Sequence, residues 1–493
     1  MPSTNVEIVL NETIGTINPN IYGHFMEHLG GCIAEGTWVG TNSAIPNTDG
    51  VRNDVVAALK EVGAPVIRWP GGCFADDYHW QDGIGDRAKR PKRINIHWGN
   101  VIEDNQFGTH EFMAFCRNVG AEPYFCGNLG SGTPGEMRDW VEYCNYPSGS
   151  THAETRAANG HPDPFNVLFW GVGNENWGCG GNFTPEDYGT EYRRFASYMR
   201  NWGKDPLQLI ACGPNGNDLD WTRRFFHKLR KDFGSAPIHH FAAHYYCGTA
   251  GTATEYTEAQ WYELLYKAIQ MEPLVVQQRA AMDIFDPQRK IGLIVDEWGT
   301  WHLPTPGHNP AFLWQQNTVR DALVAALNLD IFNRHADKVT MTNIAQTINV
   351  LQALLLTDGD KMIKTPTYHV YHLYKPHHGA RAIRLLCESE TIDCTVNGKT
   401  EQLPLLAGSA SVKGGVLTVT LVNSHATEGK EIALALYGAT LPQTAKVATI
   451  RHNSIHAHNT FEESEAVMPN YSTANGHGLT LPPASVTRLT YKI

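Results

Sequence analysis

Several features that mark other protein classes are missing from this sequence of 493 residues. Its longest apolar runs, such as Ile291–Val295 and Ala353–Leu356, are far shorter than the roughly 18 residues that a membrane span needs. Lys and Arg number 39 against 50 Asp and Glu, which gives a net charge of −11 and no obvious footprint for nucleic acid or an anionic membrane. No G-x-G-x-x-G turn follows the first predicted strand, which argues against a dinucleotide-binding open sheet.

Export and metal-binding signals are also lacking. The first five residues, Met1–Asn5, do not have the basic and then apolar layout of a signal peptide, so we expect a cytoplasmic protein, with secretion of a longer precursor as the alternative. The ten cysteines include no C-x-x-C pair, and free thiols are therefore expected. No H-x-x-x-H pair lies on a predicted helix, so we expect no metal site and no cofactor.

The first three quarters of the chain alternate short apolar runs with amphipathic segments. Continuous apolar runs of this kind are typical of strands that are buried on both faces of a parallel sheet. The eight runs are Ile21–Phe25, Pro65–Trp69, Glu122–Asn128, Val167–Glu175, Leu207–Gly213, Ile238–Tyr246, Lys290–Glu297 and Val339–Gln346. Helices are predicted at Val51–Val62, Thr109–Val119, Pro134–Cys144, Pro185–Trp202, Leu219–Phe233, Thr257–Phe285 and Asn317–Ala336. Eight such alternations predict a (β/α)8 TIM barrel, with a doubly wound open sheet as the main alternative.

The pattern changes after about Gly379, where helical periodicity stops. Short alternating runs follow, separated by turn signals such as Asn397-Gly398. This sequence pattern predicts a C-terminal antiparallel β-sandwich of the jelly-roll-like type. We therefore expect a catalytic barrel over residues 18–378 and a sandwich over residues 379–493, joined by an N-terminal strand within residues 1–17.

Two glutamates end apolar strands in a way that suggests chemistry. Glu175 follows the fourth predicted strand and Glu297 ends the seventh, and each is followed within two residues by a tryptophan. Catalytic groups of such barrels lie at the carboxyl ends of the strands. Two glutamates there could face each other, as glycoside hydrolysis requires of its acid and its nucleophile or base. The structural alternative for either residue is a solvated loop position or an ion pair.

Longer motifs make the sequence resemble a known family. It resembles the α-L-arabinofuranosidases of glycoside hydrolase family 51 over essentially the whole chain. The matching stretches are Asn18–His28, Arg68–Phe74, Gly171–Trp177, Val295–Trp298 and Asn343–Gln346. The Gly-Asn-Glu element is shared by many barrel glycosidases, and its combination with Glu27 and Gly71-Gly72 makes the resemblance specific.

The resemblance implies a role for each matching residue. Glu175 would be the general acid/base and Glu297 the nucleophile. The remaining implied contacts with the arabinofuranose ring are Glu27, Cys73, Asn174, Tyr246 and Gln346, with Trp98 and Trp301 as aromatic walls of the pocket. Tyr246 would also donate a hydrogen bond to the nucleophile. His244 would lie near the acid/base, and Arg68 would orient the nucleophile. We further expect Arg68 and a tyrosine hydroxyl to hold the pKa of Glu297 down, so that this carboxylate is ionised when it attacks.

Taken together, these residues predict a retaining, exo-acting α-L-arabinofuranosidase. Its partners would be arabinofuranosyl-containing oligo- or polysaccharides derived from arabinoxylan or arabinan, and the family resemblance implies a homo-oligomer, commonly a hexamer. An endo-β-1,4-glucanase or a β-xylosidase on the same scaffold is the alternative. A non-catalytic sugar-binding protein would usually lack one of the two glutamates.

Overall fold

The computed structural model describes residues 4–203, 205–229 and 237–493. Eight parallel strands close into a barrel in chain order, which confirms the predicted barrel. The strands are Gly23–Phe25, Val66–Trp69, Glu122–Gly127, Phe169–Val172, Gln208–Ala211, His240–Gly248, Gly292–Trp301 and Val339–Ala345. Each lies within or overlaps one of the eight apolar runs, because a strand covered on both faces needs apolar side chains at nearly every position.

Helices follow most of the barrel strands, and several begin at clear capping residues. The hydroxyl of Thr133 accepts a hydrogen bond from the Glu136 amide at 3.1 Å, and Pro134 occupies the first helical position. The helices are Asn53–Val62, Thr109–Val119, Pro134–Asn145, Thr151–Ala158, Pro185–Ala196, Leu219–Leu229, Glu258–Ile269, Met271–Asp283, Val319–Arg334 and Pro366–Tyr374.

The helix expected over Pro185–Trp202 ends at Ala196, and another expected helix is divided. The single helix expected over Thr257–Phe285 is two helices that meet at Gln270. Pro273 explains the break, because its ring nitrogen cannot donate to the carbonyl of the preceding turn. The helix expected over Leu219–Phe233 is observed over Leu219–Leu229, and the rest of that prediction falls on residues 230–236, which lie outside the described part of the chain.

A nine-stranded, mainly antiparallel sheet forms the rest of the β-structure. Its spatial order is Pro469–Asn475, Thr444–Ile450, Ser485–Lys492, Val416–Asn423, Leu406–Lys413, Arg381–Cys387, Thr4–Thr16, Lys430–Tyr437 and Gly478–Leu481. Val447 near one end of this order and Leu481 at the other belong to the same buried apolar cluster. The sheet therefore folds over itself around one core, as the predicted sandwich requires.

The described residues also form four small hairpins. They pair Thr391–Val396 with Lys399–Pro404, Leu355–Asp358 with Lys361–Lys364, Asn47–Thr48 with Val51–Arg52, and Arg93–Ile94 with Ile102–Glu103. Over the described residues, none of the helices is both long enough and apolar enough to span a bilayer.

The chain contains two compact units. Gly23–Tyr245 and Val276–Glu297 form one of them, and the other contains Tyr246–Val275, Trp298–Ile493 and the segment that ends at Tyr22. The N-terminal strand pairs with Arg381–Cys387 on one side and with Lys430–Tyr437 on the other. The domain boundaries expected after residues 17 and 378 stay a prediction.

Candidate active site

The fourth barrel strand ends in a tight turn that presents Glu175. Gly173 has φ +91°, and a side chain there would place its Cβ 2.2 Å from the Asn176 amide oxygen. Glu175 itself has φ +41°, a left-handed conformation that is unfavourable for a residue with a side chain. Backbone strain of this kind is concentrated at functional sites, where the surrounding structure holds it in place.

Glu297 lies on the seventh strand and is held by an arginine from the second. Arg68 is 1% exposed, and its Nη1 donates to Glu297 Oε1 at 2.7 Å. Its Nη2 donates to the side-chain oxygen of Asn174, the residue before Glu175. One buried guanidinium therefore fixes the positions of both strand ends.

His244 bridges the two glutamates. Its Nδ1 lies 2.9 Å from Glu175 Oε1 and 3.5 Å from Glu297 Oε2. Its Nε2 lies 3.0 Å from Asp296 Oδ1, and the other oxygen of that carboxylate, Oδ2, accepts a hydrogen bond from the Tyr124 hydroxyl at 2.7 Å. Carboxylate oxygens of Glu175 and Glu297 lie within 4.8 Å of each other, so the two groups are close enough to act on one glycosidic bond.

The charges of this cluster are tightly coupled. Burial lowers the pKa of His244, but attraction from Glu297 and Asp296 outweighs it and raises the pKa to about 10. Burial raises the pKa of Asp296, but Arg68 and His244 outweigh it and lower the pKa to about 2. At neutral pH His244 is therefore a cation that donates through both ring nitrogens, and Asp296 is an anion.

The expected direction of the Glu297 pKa is wrong. Burial raises it, His244 and Arg68 act in the opposite direction, and the nearby charge of Glu175 raises it further. With Arg68 and His244 positive and Asp296 negative, the cluster is electrically balanced when only one of the two glutamates is ionised. The first step of a retaining mechanism needs one protonated and one ionised glutamate, with Glu297 as the ionised one, so the raised pKa of Glu297 does not by itself favour that state.

Glu27 forms a second buried carboxyl group beside the site. One of its oxygens accepts hydrogen bonds from the Phe74 amide at 3.0 Å and from the Trp98 indole at 2.8 Å. Burial and the charge of Glu297 raise the Glu27 pKa to about 8. Gly72 makes room for this side chain, because a Cβ at that position would lie 2.3 Å from Glu27 Oε2.

Cys73 requires a correction. It is bonded to Cys179 in a disulfide, with a Cα–Cα distance of 5.6 Å, so it has no free thiol to donate to a sugar or to react with thiol reagents. The turn after Glu175 folds back, with the amides of Gly178 and Gly180 both donating to the Glu175 carbonyl, and this brings Cys179 to Cys73. The other eight cysteines are free, as expected.

Three predicted sugar contacts lie in the other compact unit. The rings of Tyr246 and Trp301 meet edge to face, with centroids 5.0 Å apart, and both residues are half-buried. Gln346 is buried directly after the eighth strand, and its backbone N–H donates to the Val350 carbonyl at 3.1 Å. Their contacts with a sugar stay a prediction.

Sequence reasoning missed three residues that support the site. Asp296 anchors His244, and its charge within an apolar strand was an available signal. Tyr124 holds Asp296, and nothing in the sequence marks it. Asp76 accepts the backbone amides of Leu129, Gly130 and Asn174 at 2.7–2.9 Å, and so fixes the turn before Glu175. Burial raises the Asp76 pKa to about 7, although these hydrogen bonds oppose the shift.

A closed parallel barrel with two close glutamates at its strand ends defines a glycoside hydrolase. Two family models match the chain: the α-L-arabinofuranosidase 1 domain over residues 58–263 and the α-L-arabinofuranosidase C-terminal domain over residues 296–485. The chain is 42% identical to the intracellular exo-α-L-arabinofuranosidase of Bacteroides ovatus, over 92% of this chain and 88% of that protein. The chain therefore belongs to the α-L-arabinofuranosidases of glycoside hydrolase family 51.

Solved structures agree with this assignment. The family 51 arabinofuranosidase of Xanthomonas axonopodis pv. citri matches with a TM-score of 0.94 and 41% identity, over 99% of this chain and all of that one. The Thermotoga maritima α-L-arabinofuranosidase, solved with arabinose, matches with a TM-score of 0.88 and 29% identity over the full length of both chains. The glucanase or β-xylosidase alternative is not favoured.

Proposed function

We propose that the protein is a retaining, exo-acting α-L-arabinofuranosidase. It removes terminal arabinofuranosyl groups from oligosaccharides derived from arabinoxylan or arabinan, by double displacement. The observation that carries the proposal is the close pair of Glu175 and Glu297, bridged by His244 and fixed by Arg68. The spacing of the two carboxylates suits a nucleophile acting directly on C1 rather than through an intervening water.

In the first step Glu297 attacks C1 while Glu175 protonates the leaving oxygen. Glu175 Oε1 faces the His244 cation, which leaves Oε2 to carry the transferable proton. In the second step Glu175, now ionised, removes a proton from water, and that water releases arabinose from Glu297. Asn174 and Glu27 are proposed to bind sugar hydroxyls and Trp98 to form one wall of the pocket. Tyr246, Gln346 and Trp301 join this proposal through the family resemblance.

The decisive experiment compares substrates. We expect rapid hydrolysis of p-nitrophenyl α-L-arabinofuranoside, and much slower hydrolysis of the β-xyloside and of a β-glucan polymer. Proton NMR of the first-formed arabinose, recorded before mutarotation, should show the α-anomer. Preferred cleavage of the glucan, or an initial β-anomer, would contradict the proposal.

Location and assembly are further parts of the proposal. The Bacteroides ovatus relative is named intracellular, and we propose that this protein also acts inside the cell on imported oligosaccharides. We also propose a homo-oligomer, with a hexamer as the form that the family resemblance implies. Light scattering on the eluting protein measures the mass, and a monomer would contradict the assembly.

A further inference from the structure

Two sulfurs and a carboxylate converge at the mouth of the fourth strand. The sulfurs of Cys73 and Cys179 lie 3.8 Å and 3.5 Å from Glu175 Oε2, and all three atoms lie within 4.8 Å of one another. While the sulfurs are bonded to each other they are poor metal ligands, because zinc binds the thiolate form of cysteine. Once the disulfide is reduced, the same three atoms can all act as metal ligands.

The observed spacing suits a tetrahedral metal ion. Zinc binds cysteine sulfur at about 2.3 Å and carboxylate oxygen at about 2.0–2.2 Å, so neighbouring sulfur and oxygen ligands are about 3.5 Å apart. Both sulfur–oxygen distances at this site are already close to that value. Two sulfur ligands must lie about 3.8 Å apart, and cleavage of the bond between Cys73 and Cys179 removes the constraint that prevents this.

The segment around Cys179 allows the required movement. Cys179 is exposed and lies within the sequence Gly178-Cys179-Gly180-Gly181, where glycines give the backbone wide conformational freedom. Cys73 is half-buried and begins the short helical turn Cys73–Asp77 after the second strand. A small shift of Cys179, with Cys73 and Glu175 fixed, therefore completes a metal-binding site.

We propose that reduction of the Cys73–Cys179 disulfide creates an inhibitory binding site for a thiophilic divalent cation of the zinc and cadmium class. The ligands are the two thiolates and Glu175 Oε2, and a water molecule occupies the fourth position. A phosphine reductant breaks the sulfur–sulfur bond and becomes a phosphine oxide with oxygen from water, which leaves two thiols. The cation then displaces one proton from each thiol.

The charge of the surroundings favours this site. Two thiolates and one carboxylate carry one more negative charge than the divalent cation neutralises. The cation His244 contacts Glu175, and the cation Arg68 donates to the neighbouring Asn174, so positive charge close to the site compensates for that excess. Thiolate ligands select zinc and cadmium over magnesium and calcium, which prefer oxygen.

Metal binding at this site would stop turnover through Glu175. A metal-bound Oε2 cannot carry the proton that the leaving group needs, so the inhibition rests on the proposed role of Glu175 as the acid. The binding itself does not depend on that role. Activity and metal binding can therefore be tested separately.

The test titrates zinc against arabinofuranoside hydrolysis, with oxidised and phosphine-reduced enzyme side by side. We expect the half-inhibitory zinc concentration to be about 100-fold lower for the reduced enzyme, and EDTA to restore its activity. Reduced Cys179→Ser should be no more sensitive than the oxidised wild type. Cys387→Ser is the matched control, because it removes one of the other free thiols, and it should behave like the wild type.

Cobalt supplies a readout that is independent of catalysis. Reduced wild type and Cys387→Ser should show the near-ultraviolet thiolate-to-cobalt absorption band, and reduced Cys179→Ser should lack it. Equal zinc sensitivity of oxidised and reduced enzyme, or an unchanged cobalt band in Cys179→Ser, would overturn the site. If the metal-free enzyme does not hydrolyse the arabinofuranoside but the cobalt spectra are as expected, the proposed function is overturned and the metal site is not.

Discussion

At the scale of single residues, the two glutamates have different proposed roles, so replacing each by alanine should reduce activity to a different extent. Glu297→Ala should lose activity by at least about ten-thousandfold, because no other group can attack C1. Glu175→Ala should lose less on p-nitrophenyl arabinofuranoside, because p-nitrophenolate leaves with little help from an acid; roughly a hundredfold is expected. Progress curves with this chromogenic substrate measure both losses.

Azide distinguishes the nucleophile from the general acid/base. In Glu175→Ala it should attack the β-linked glycosyl-enzyme, restore turnover and yield the α-configured glycosyl azide. The control is Glu297→Ala, which forms no glycosyl-enzyme and should not give that product. A β-azide from Glu175→Ala would reverse the roles of the two residues.

Asp296 is proposed as a positioning residue that acts through His244. Asp296→Asn keeps the shape but removes one of the two charges that raise the His244 pKa. We expect kcat/KM to fall at least about tenfold, and the alkaline limb of its pH profile to move toward neutral pH. Asp283→Asn, at an ion pair on a helix of the barrel, is the control and should leave the profile unchanged. A reduced rate with an unmoved alkaline limb would mean that Asp296 has only a structural role.

Glu27 should make stability depend on pH. Its pKa of about 8 lies above the usual value, so the folded protein holds a proton that the unfolded chain releases above about pH 4.5. Stability from this group is therefore lost as pH rises from about 4.5 to 8, by up to about 5 kcal/mol. Glu27→Gln should become progressively more stable than wild type over this range. Thermal unfolding of both proteins at several pH values in this range tests the prediction. A difference between their unfolding midpoints that does not change with pH would contradict it.

At the scale of elements, the turn after the second strand positions the sugar-binding side chains. In Gly72→Ala the new methyl group would meet the Glu27 carboxylate, which is held by Phe74 and Trp98 and must lose one of these contacts. We expect kcat/KM to fall by about tenfold or more, while the thermal midpoint changes by only a few degrees. Gly135→Ala is the control, since its nearest neighbour would be 3.7 Å away, on Thr133. Equal effects of both variants on activity would contradict this role of the turn.

The elements also show what a sequence can and cannot predict here. The eight barrel strands were predictable because burial on both faces requires continuous apolar runs. The sandwich strand Leu406–Lys413 is not marked in the sequence, because its glycine, alanine and serine residues give no apolar alternation. Glu175 and Glu297 are visible in the sequence because each is a charged residue that directly follows or ends an apolar run. Tyr124, Asp76 and the Cys73–Cys179 bond depend on proximity between distant segments, which spacing along the chain does not encode.

At the scale of the whole molecule, the proposed chemistry needs two carboxylates and no metal ion. EDTA treatment of the oxidised protein should therefore leave activity essentially unchanged. Buffer-exchanged enzyme without chelator is the control, assayed on the same substrate. Complete loss on chelation, with recovery on adding zinc or calcium, would show that the histidines bind a metal that catalysis requires.

The N-terminal strand Thr4–Thr16 has a consequence for biosynthesis. Its two neighbours in the sheet, Arg381–Cys387 and Lys430–Tyr437, are among the later parts of the chain to leave the ribosome. At about 5–20 residues per second, the strand waits roughly 20 to 90 s before both partners have been made. During that time its unpaired edge can bind other nascent chains, which makes it a natural target for chaperones that act during translation.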